Sequence, residues 1–132
     1  MTRKRIIIDF IPQAEQRIPG QVGDYFDTPD ATVFQITDMP NPAHSMAILV
    51  HELHEKFRND QLGISDESVD DFDITHPELD DPGLSPDAPY HIPHMEADAL
   101  ERLFIILTGC DWNDYEAAID SLFCDHITGG TP

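Results

Sequence analysis

The sequence has no long hydrophobic run and few cysteines. Its strongly apolar stretches, MAILV at 46–50 and LFIIL at 103–107, fall well short of the roughly 18 residues of a membrane span. The basic start is followed by only a brief apolar run before Asp9, unlike a secretory signal peptide. Cys110 and Cys124 are too few for a cysteine-built zinc site, so we expect two free thiols. The expectation is a cytoplasmic protein without a membrane segment.

Basic residues are also scarce, and most of them lie early in the chain. Seven Lys and Arg oppose 26 Asp and Glu, which gives a formal net charge of −19. After Asp60 the only basic residue is Arg102. Four basic residues lie near the start of the chain, namely Arg3, Lys4, Arg5 and Arg17. Direct binding to nucleic-acid phosphates is therefore not expected. The acidity leaves three interpretations open: solubility alone, cation binding, or imitation of a nucleic-acid surface.

The chain is long enough for one domain, and it changes character near residue 40. Residues 1–40 are mainly β, with a strand in RKRIIIDFIP and a hairpin in GDYFDTPDATVFQITD. Residues 43–126 are mainly α, and we expect 127–132 to be a frayed tail. The whole predicts a single α+β domain over 1–132, a small antiparallel β-sheet (N-terminal strand plus hairpin) packed against about three α-helices.

Capping residues and helix-ending glycines predict where the helices begin and end. A first helix at about 43–60 has Asn41 or Ser45 as its cap and Gly63 after its end. A short helical turn follows in SDESVDDFD, with Ser65 or Asp66 as its cap. Residues 75–93, rich in Pro and Asp, predict a long loop that could act as a lid. Further helices are predicted at about 93–108, ending at Gly109, and from Asp111 onward.

The first long helix carries an incomplete zinc-protease motif, LVHELHEKF at 49–57. His51 and Glu52 match H-E-x-x-H, but Glu55 occupies the place of the second histidine. On a helical wheel Glu55 lies about 40° from His51. The opposite side bears an apolar stripe, interpreted as the core-facing one, made of Met46, Val50, Leu53 and Phe57.

The helix at 93–108 repeats this arrangement. Relative to His94, Asp98 lies at about 40° and Glu101 at about −20°. The opposing stripe, again interpreted as core-facing, consists of Leu100, Leu103, Phe104 and Leu107. If the two polar faces meet, His51, Glu55 and His94 form a His₂Glu set typical of catalytic zinc. Glu52 is then the candidate general base, and Glu101 a fourth ligand or a partner that holds an imidazole.

The same residues also allow a simpler interpretation than a metal site. Surface helices commonly carry Glu three or four residues after another polar residue, and Glu52 with Lys56 is an ordinary i,i+4 ion-pair spacing. The same residues could therefore form a polar cluster without metal.

Six short motifs together resemble those of a group of small, largely uncharacterised phage and bacterial proteins. They span roughly residues 20–117 and read GDYF, LVHELHE, GIS, VDDFD, APYHIPHMEADALE and GCDWNDYE. TGCDW departs from the Leu-Gly that usually leads into the last motif. The resemblance implies a phage or mobile-element origin and motif positions at His51, Glu52, Glu55, His94 and Glu101. A more distant likeness is to minimal zincin metallopeptidases, whose zincin-like fold is thereby expected.

The sequence thus favours a small phage-type metal-binding protein with a His₂Glu site for Zn²⁺ or another divalent metal. If it is catalytic, we expect a zinc-dependent hydrolase that acts on an amide bond, with a peptide or a host protein as its partner in the host cytoplasm. The alternative is a non-enzymatic acidic interaction protein that mimics DNA or inhibits a host protein. A third possibility is a structural metal that only holds the helices together. The oligomeric state is left open.

Overall fold

The computed structural model describes the backbone of residues 4–129 and the side chains of residues 4–123. Within them the protein is α+β, as predicted. The strands are β1 (Arg5–Ile11), β2 (Gly23–Asp27) and β3 (Ala31–Thr37). The helices are α1 (Pro42–Leu62), α2 (Asp66–Thr75), α3 (His91–Leu107) and α4 (Trp112–Gly129). No helix among the described residues is long and apolar enough to cross a bilayer.

The sheet is mixed, so the prediction of an antiparallel sheet is wrong for one pairing. β2 and β3 form the predicted antiparallel hairpin, but β1 runs parallel to β3. The order β1-β3-β2 places the hairpin's second strand in the centre. β3 is buried along almost its whole length, and its central position pairs both its edges. The strand with the least exposed side chains is thus the one in the centre of the sheet.

The predicted caps fix the first two helices. The Asn41 side chain accepts a hydrogen bond from the Ala43 amide at the start of α1, and Gly63 ends α1 with a left-handed φ of 72°. Ser65 caps the next segment by accepting from the Ser68 amide. SDESVDDFD therefore forms a full helix, α2, which brings the number of α-helices in the described part to four instead of about three.

The remaining boundaries lie close to their predicted places. α3 begins at His91, and the long loop contains a 3₁₀ turn, Pro82–Leu84. α4 continues to Gly129, so it includes the first residues of the expected frayed tail. Residues 130–132 and the side chain of Cys124 lie outside the described residues.

The apolar stripes of α1 and α3 face the core only in part, so this interpretation of the sequence is wrong for most of their residues. Leu53 and Phe104 pack, partly buried, against the core. Phe57 is 62% exposed and Leu107 is 74% exposed, and Met46, Leu100 and Leu103 are exposed as well. The two helices pack against each other through their polar faces, where Ala97 is fully buried and permits a close approach. The sheet-side core uses a different part of α1, Ala47, Ile48 and Leu49, together with Phe34, Ile36, Ile105 and Tyr115.

Candidate metal site

The facing sides of α1 and α3 bring together the three residues predicted as a His₂Glu set. Glu55 Oε2 lies 3.2 Å from His51 Nε2 and 2.8 Å from His94 Nδ1, so one carboxylate oxygen bridges two imidazoles. The two rings meet edge to face at 4.7 Å between centroids. All three side chains are buried. The structure thus joins the two helices at one polar centre.

Two more carboxylates of α3 reach the same imidazoles from the other side. Glu101 Oε1 lies 2.7 Å from His51 Nδ1. Asp98 spans both rings, with Oδ1 3.3 Å from His51 Nδ1 and Oδ2 3.6 Å from His94 Nε2. Asp98 is partly exposed, in contrast to Glu55. The cluster therefore has an inner side at Glu55 and an outer side, nearer to solvent, at Asp98.

Two tyrosines hold the carboxylates in place. The Tyr25 hydroxyl donates to Glu55 Oε1 at 2.7 Å and accepts a hydrogen bond from Asn59 Nδ2 at 2.9 Å. The Tyr115 hydroxyl donates to Glu101 Oε2. Tyr25 comes from β2 and Tyr115 from α4, so four elements fix the geometry of the cluster.

The loop predicted as a lid lies directly on His94. Asp81 Oδ1 is 3.1 Å from His94 Nε2, and His91 Nδ1 approaches the Gly83 carbonyl at 2.9 Å. A Cβ atom added at Gly83 would lie 2.4 Å from His94 Cγ, far inside contact distance. Glycine at this position therefore lets the loop backbone rest on the imidazole.

The cluster stabilises charged forms of its members. Burial by itself lowers the pKa of His51, but hydrogen bonds with Asp98, Glu101 and Glu55 outweigh it and raise that pKa well above its usual value. Against the same effect of burial, Asp81 and Glu55 raise the pKa of His94 to about 10. Burial alone would raise the pKa of Glu55, yet the two imidazoles lower it overall. Without a metal, the site is a paired set of imidazolium and carboxylate groups.

Glu52, the predicted general base, faces a different direction from Glu55. Its side chain packs over β2, where a Cβ atom added at Gly23 would lie 2.7 Å from Glu52 Cγ. Burial, and next the Glu55 carboxylate, raise the pKa of Glu52 to about 8. The expected Glu52–Lys56 pair does not form, because Lys56 instead contacts three carboxylates, those of Asp27, Asp60 and Asp66.

His51, His94 and Asp98 form a group that could hold a metal ion. One ligand atom from each lies within 4.8 Å of the others. Imidazole nitrogen and carboxylate oxygen are donors that suit zinc and other first-row metals. The pairing distances place the Asp98 oxygens at His51 Nδ1 and His94 Nε2. Glu55 approaches the opposite nitrogen of each ring.

Sequence reasoning placed Asp98 on the correct helix face but did not select it as a ligand. The signal was available in its i,i+4 spacing from His94. Asp81 and Tyr25 were missed because they reach the site through the fold, one from a loop and one from a strand. No local pattern marks such residues.

In comparisons with protein-family models, curated proteins and solved structures, nothing matches this chain. The zincin-like fold expected from the sequence is therefore not supported by any structural match. The resemblance to the phage and bacterial group stays a prediction that these comparisons do not test.

Proposed function

We propose that this protein binds one divalent metal ion, Zn²⁺ by the type of its donors, between α1 and α3. The observation that carries the proposal is the convergence of His51, His94 and Asp98 within 4.8 Å. Two histidines with one carboxylate and a partly exposed side are typical of zinc sites that keep an open coordination position. The two nearby carboxylates Asp81 and Glu101 add negative charge that attracts a cation.

In this proposal Asp98 replaces Glu55 as the carboxylate ligand. A metal on the outer side takes His51 Nδ1 and His94 Nε2. The opposite ring nitrogens then keep their protons and donate to Glu55. Glu55, fixed by the Tyr25 hydroxyl, therefore orients both imidazoles, as carboxylates behind zinc-bound histidines commonly do.

If the protein is a hydrolase, we propose that hydrolysis takes place at this same metal site. When bound, zinc polarises a water or a substrate carbonyl. Asp98 and Asp81 lie at the exposed rim, so a peptide would approach from their side. Glu52, expected from the sequence as the general base, packs over β2 and not at this rim, so the proposal assigns it no direct proton transfer to a substrate there.

The test is metal content by elemental mass spectrometry on protein purified without a histidine tag or chelator, followed by zinc titration. We expect about one zinc per chain in the wild type and loss of it in His51→Gln and His94→Gln. His54→Gln is the matched control, because His54 lies on the same helix but pairs with Glu96 outside the cluster. Circular dichroism checks that each variant is folded.

Two further variants test which carboxylate is the ligand. Asp98→Asn should weaken zinc binding more than Glu55→Gln, for which we expect a loss of about tenfold to a hundredfold. The reverse order would overturn the assignment of Asp98 but keep the metal site. Absence of zinc binding in the wild type would reject the metal site itself and favour the acidic interaction protein.

A further inference from the structure

β1 is an apolar edge strand with an open outer side. Among the described residues it pairs with β3 alone. Its side chains Ile6, Ile8 and Phe10 are all exposed, Ile6 by 60%. A seven-residue edge of this kind offers unpaired backbone groups and an apolar surface to another strand.

The exposed row belongs to the sheet face that α1 covers elsewhere. Ile8 and Phe10 lie in register with Phe34 and Ile36 of β3, both of which are buried in the core. The helix cover stops before β1, and a cleft of about 290 Å³ remains between Ile6 and Phe57. An additional strand beside β1 would extend this face and shield the row.

The charges of β1 complement a second copy of the same strand. Arg5 and Asp9 are exposed, lie two residues on either side of Ile7, and form no ion pair within the described part of the chain. In an antiparallel pair centred on Ile7, Arg5 stands opposite Asp9 of the second copy. Ile6 then stands opposite Ile8 of that copy, so the apolar rows also meet. Centring on Ile8 would instead oppose Asp9 to Ile7.

We propose that two copies of this chain associate through antiparallel β1–β1 pairing about Ile7, which joins their sheets into one of six strands. The contact is isologous, so it closes at a dimer and leaves neither β1 edge open. The basic residues Lys4 and Arg5 lie at this contact. They reduce locally the repulsion that a net charge of −19 per chain creates.

A charge swap tests the pairing in solution. Light scattering coupled to size exclusion, over a wide range of concentrations, should show a dimer for the wild type. Arg5→Asp and Asp9→Arg should each raise the dimer dissociation constant by at least about tenfold, because like charges then face each other. The double variant Arg5→Asp/Asp9→Arg should restore the dimer. Both positions are exposed, so folding is expected to persist and is checked by circular dichroism.

Cross-linking tests the register. In a Cys110→Ser/Cys124→Ser background, Ile7→Cys should oxidise to a covalent dimer, because directly opposed Cα atoms lie about 4.5–5.5 Å apart. Ile11→Cys is the matched control, since its two copies would be about eight residues, roughly 26 Å, apart. A monomeric wild type, open-ended assemblies, single variants that dimerise like the wild type, or equal cross-linking at both positions would each overturn the proposal.

Discussion

The contact between α1 and α3 is polar, whereas the outward faces of the same two helices are apolar. This is the reverse of what is expected of a buried contact and an exposed surface. Between the helices lie two histidines and Glu55, all buried, with Glu101 at their edge. Outward, the apolar stripes that include Phe57 and Leu107 are largely exposed. Most helices place such residues the other way round. The difference shows that helix amphipathicity here does not identify the interior.

The comparison also separates stability from function. A buried set of charges is at best a weak source of stability, and well-packed apolar residues of similar volume often stabilise a fold more. Exposed apolar surface, in turn, contributes nothing to the core. Conflicts between pattern and fold of this kind are expected at functional sites. We therefore associate the polar contact with metal binding and the exposed β1 row with association.

The largest loss of stability is expected when the carboxylate that joins the two imidazoles is removed. Glu55→Ala leaves His51, His94 and the Tyr25 hydroxyl without their shared acceptor. We expect the free energy of unfolding of the metal-free protein to fall by about 3 kcal/mol. Urea denaturation measures it.

Glu96→Ala is the control, because Glu96 is a carboxylate of α3 that pairs with His54 and Arg58 at the surface. It should lower the free energy of unfolding far less than Glu55→Ala does, because solvent screens exposed ion pairs. Equal losses in the two variants would mean that the α1–α3 cluster is no more than a surface ion-pair network.

A smaller effect is expected where the loop rests on the cluster. Gly83→Ala adds a methyl group that would lie 2.4 Å from His94 Cγ, so the loop or the ring must move. We expect a loss of about 1–3 kcal/mol in the free energy of unfolding, together with weaker zinc binding. Leu84→Ala, at the exposed neighbouring position, should change neither quantity appreciably. Similar zinc affinity in both variants would show that the loop does not help to position His94.

Local signals in the sequence accounted for much of the secondary structure and for the polar centre. Asn41, Gly63 and Ser65 act within one turn of themselves, so their capping roles could be predicted and are confirmed. The positions of His51, Glu55 and His94 on their helix faces follow from the helical period in the same way. Their convergence could be stated only as a condition, because the sequence does not say which faces meet.

The errors arose where long-range packing decided the outcome. The sequence of β3 does not reveal that β1 will lie parallel to it, since a strand carries no local mark of its neighbour. The apolar stripes of α1 and α3 were assigned to the core because buried polar contacts are rare. Here Tyr25 and Tyr115 supply hydrogen bonds from other elements, and these make the polar contact tolerable.

The smallest effect on stability is expected on the outward face of α3. Two adjacent residues, one exposed and one buried, allow the outward face and the core to be compared directly. Ile106 is 60% exposed, whereas Ile105 is fully buried in the sheet-side core. Ile106→Lys should change the free energy of unfolding by no more than about 0.5 kcal/mol, because the ammonium group stays in water. Ile105→Lys should unfold the protein, because it buries an unpaired charge. Urea denaturation of both variants checks this. A loss above about 1 kcal/mol in Ile106→Lys would mean that the outward face of α3 around Ile106 is covered in solution.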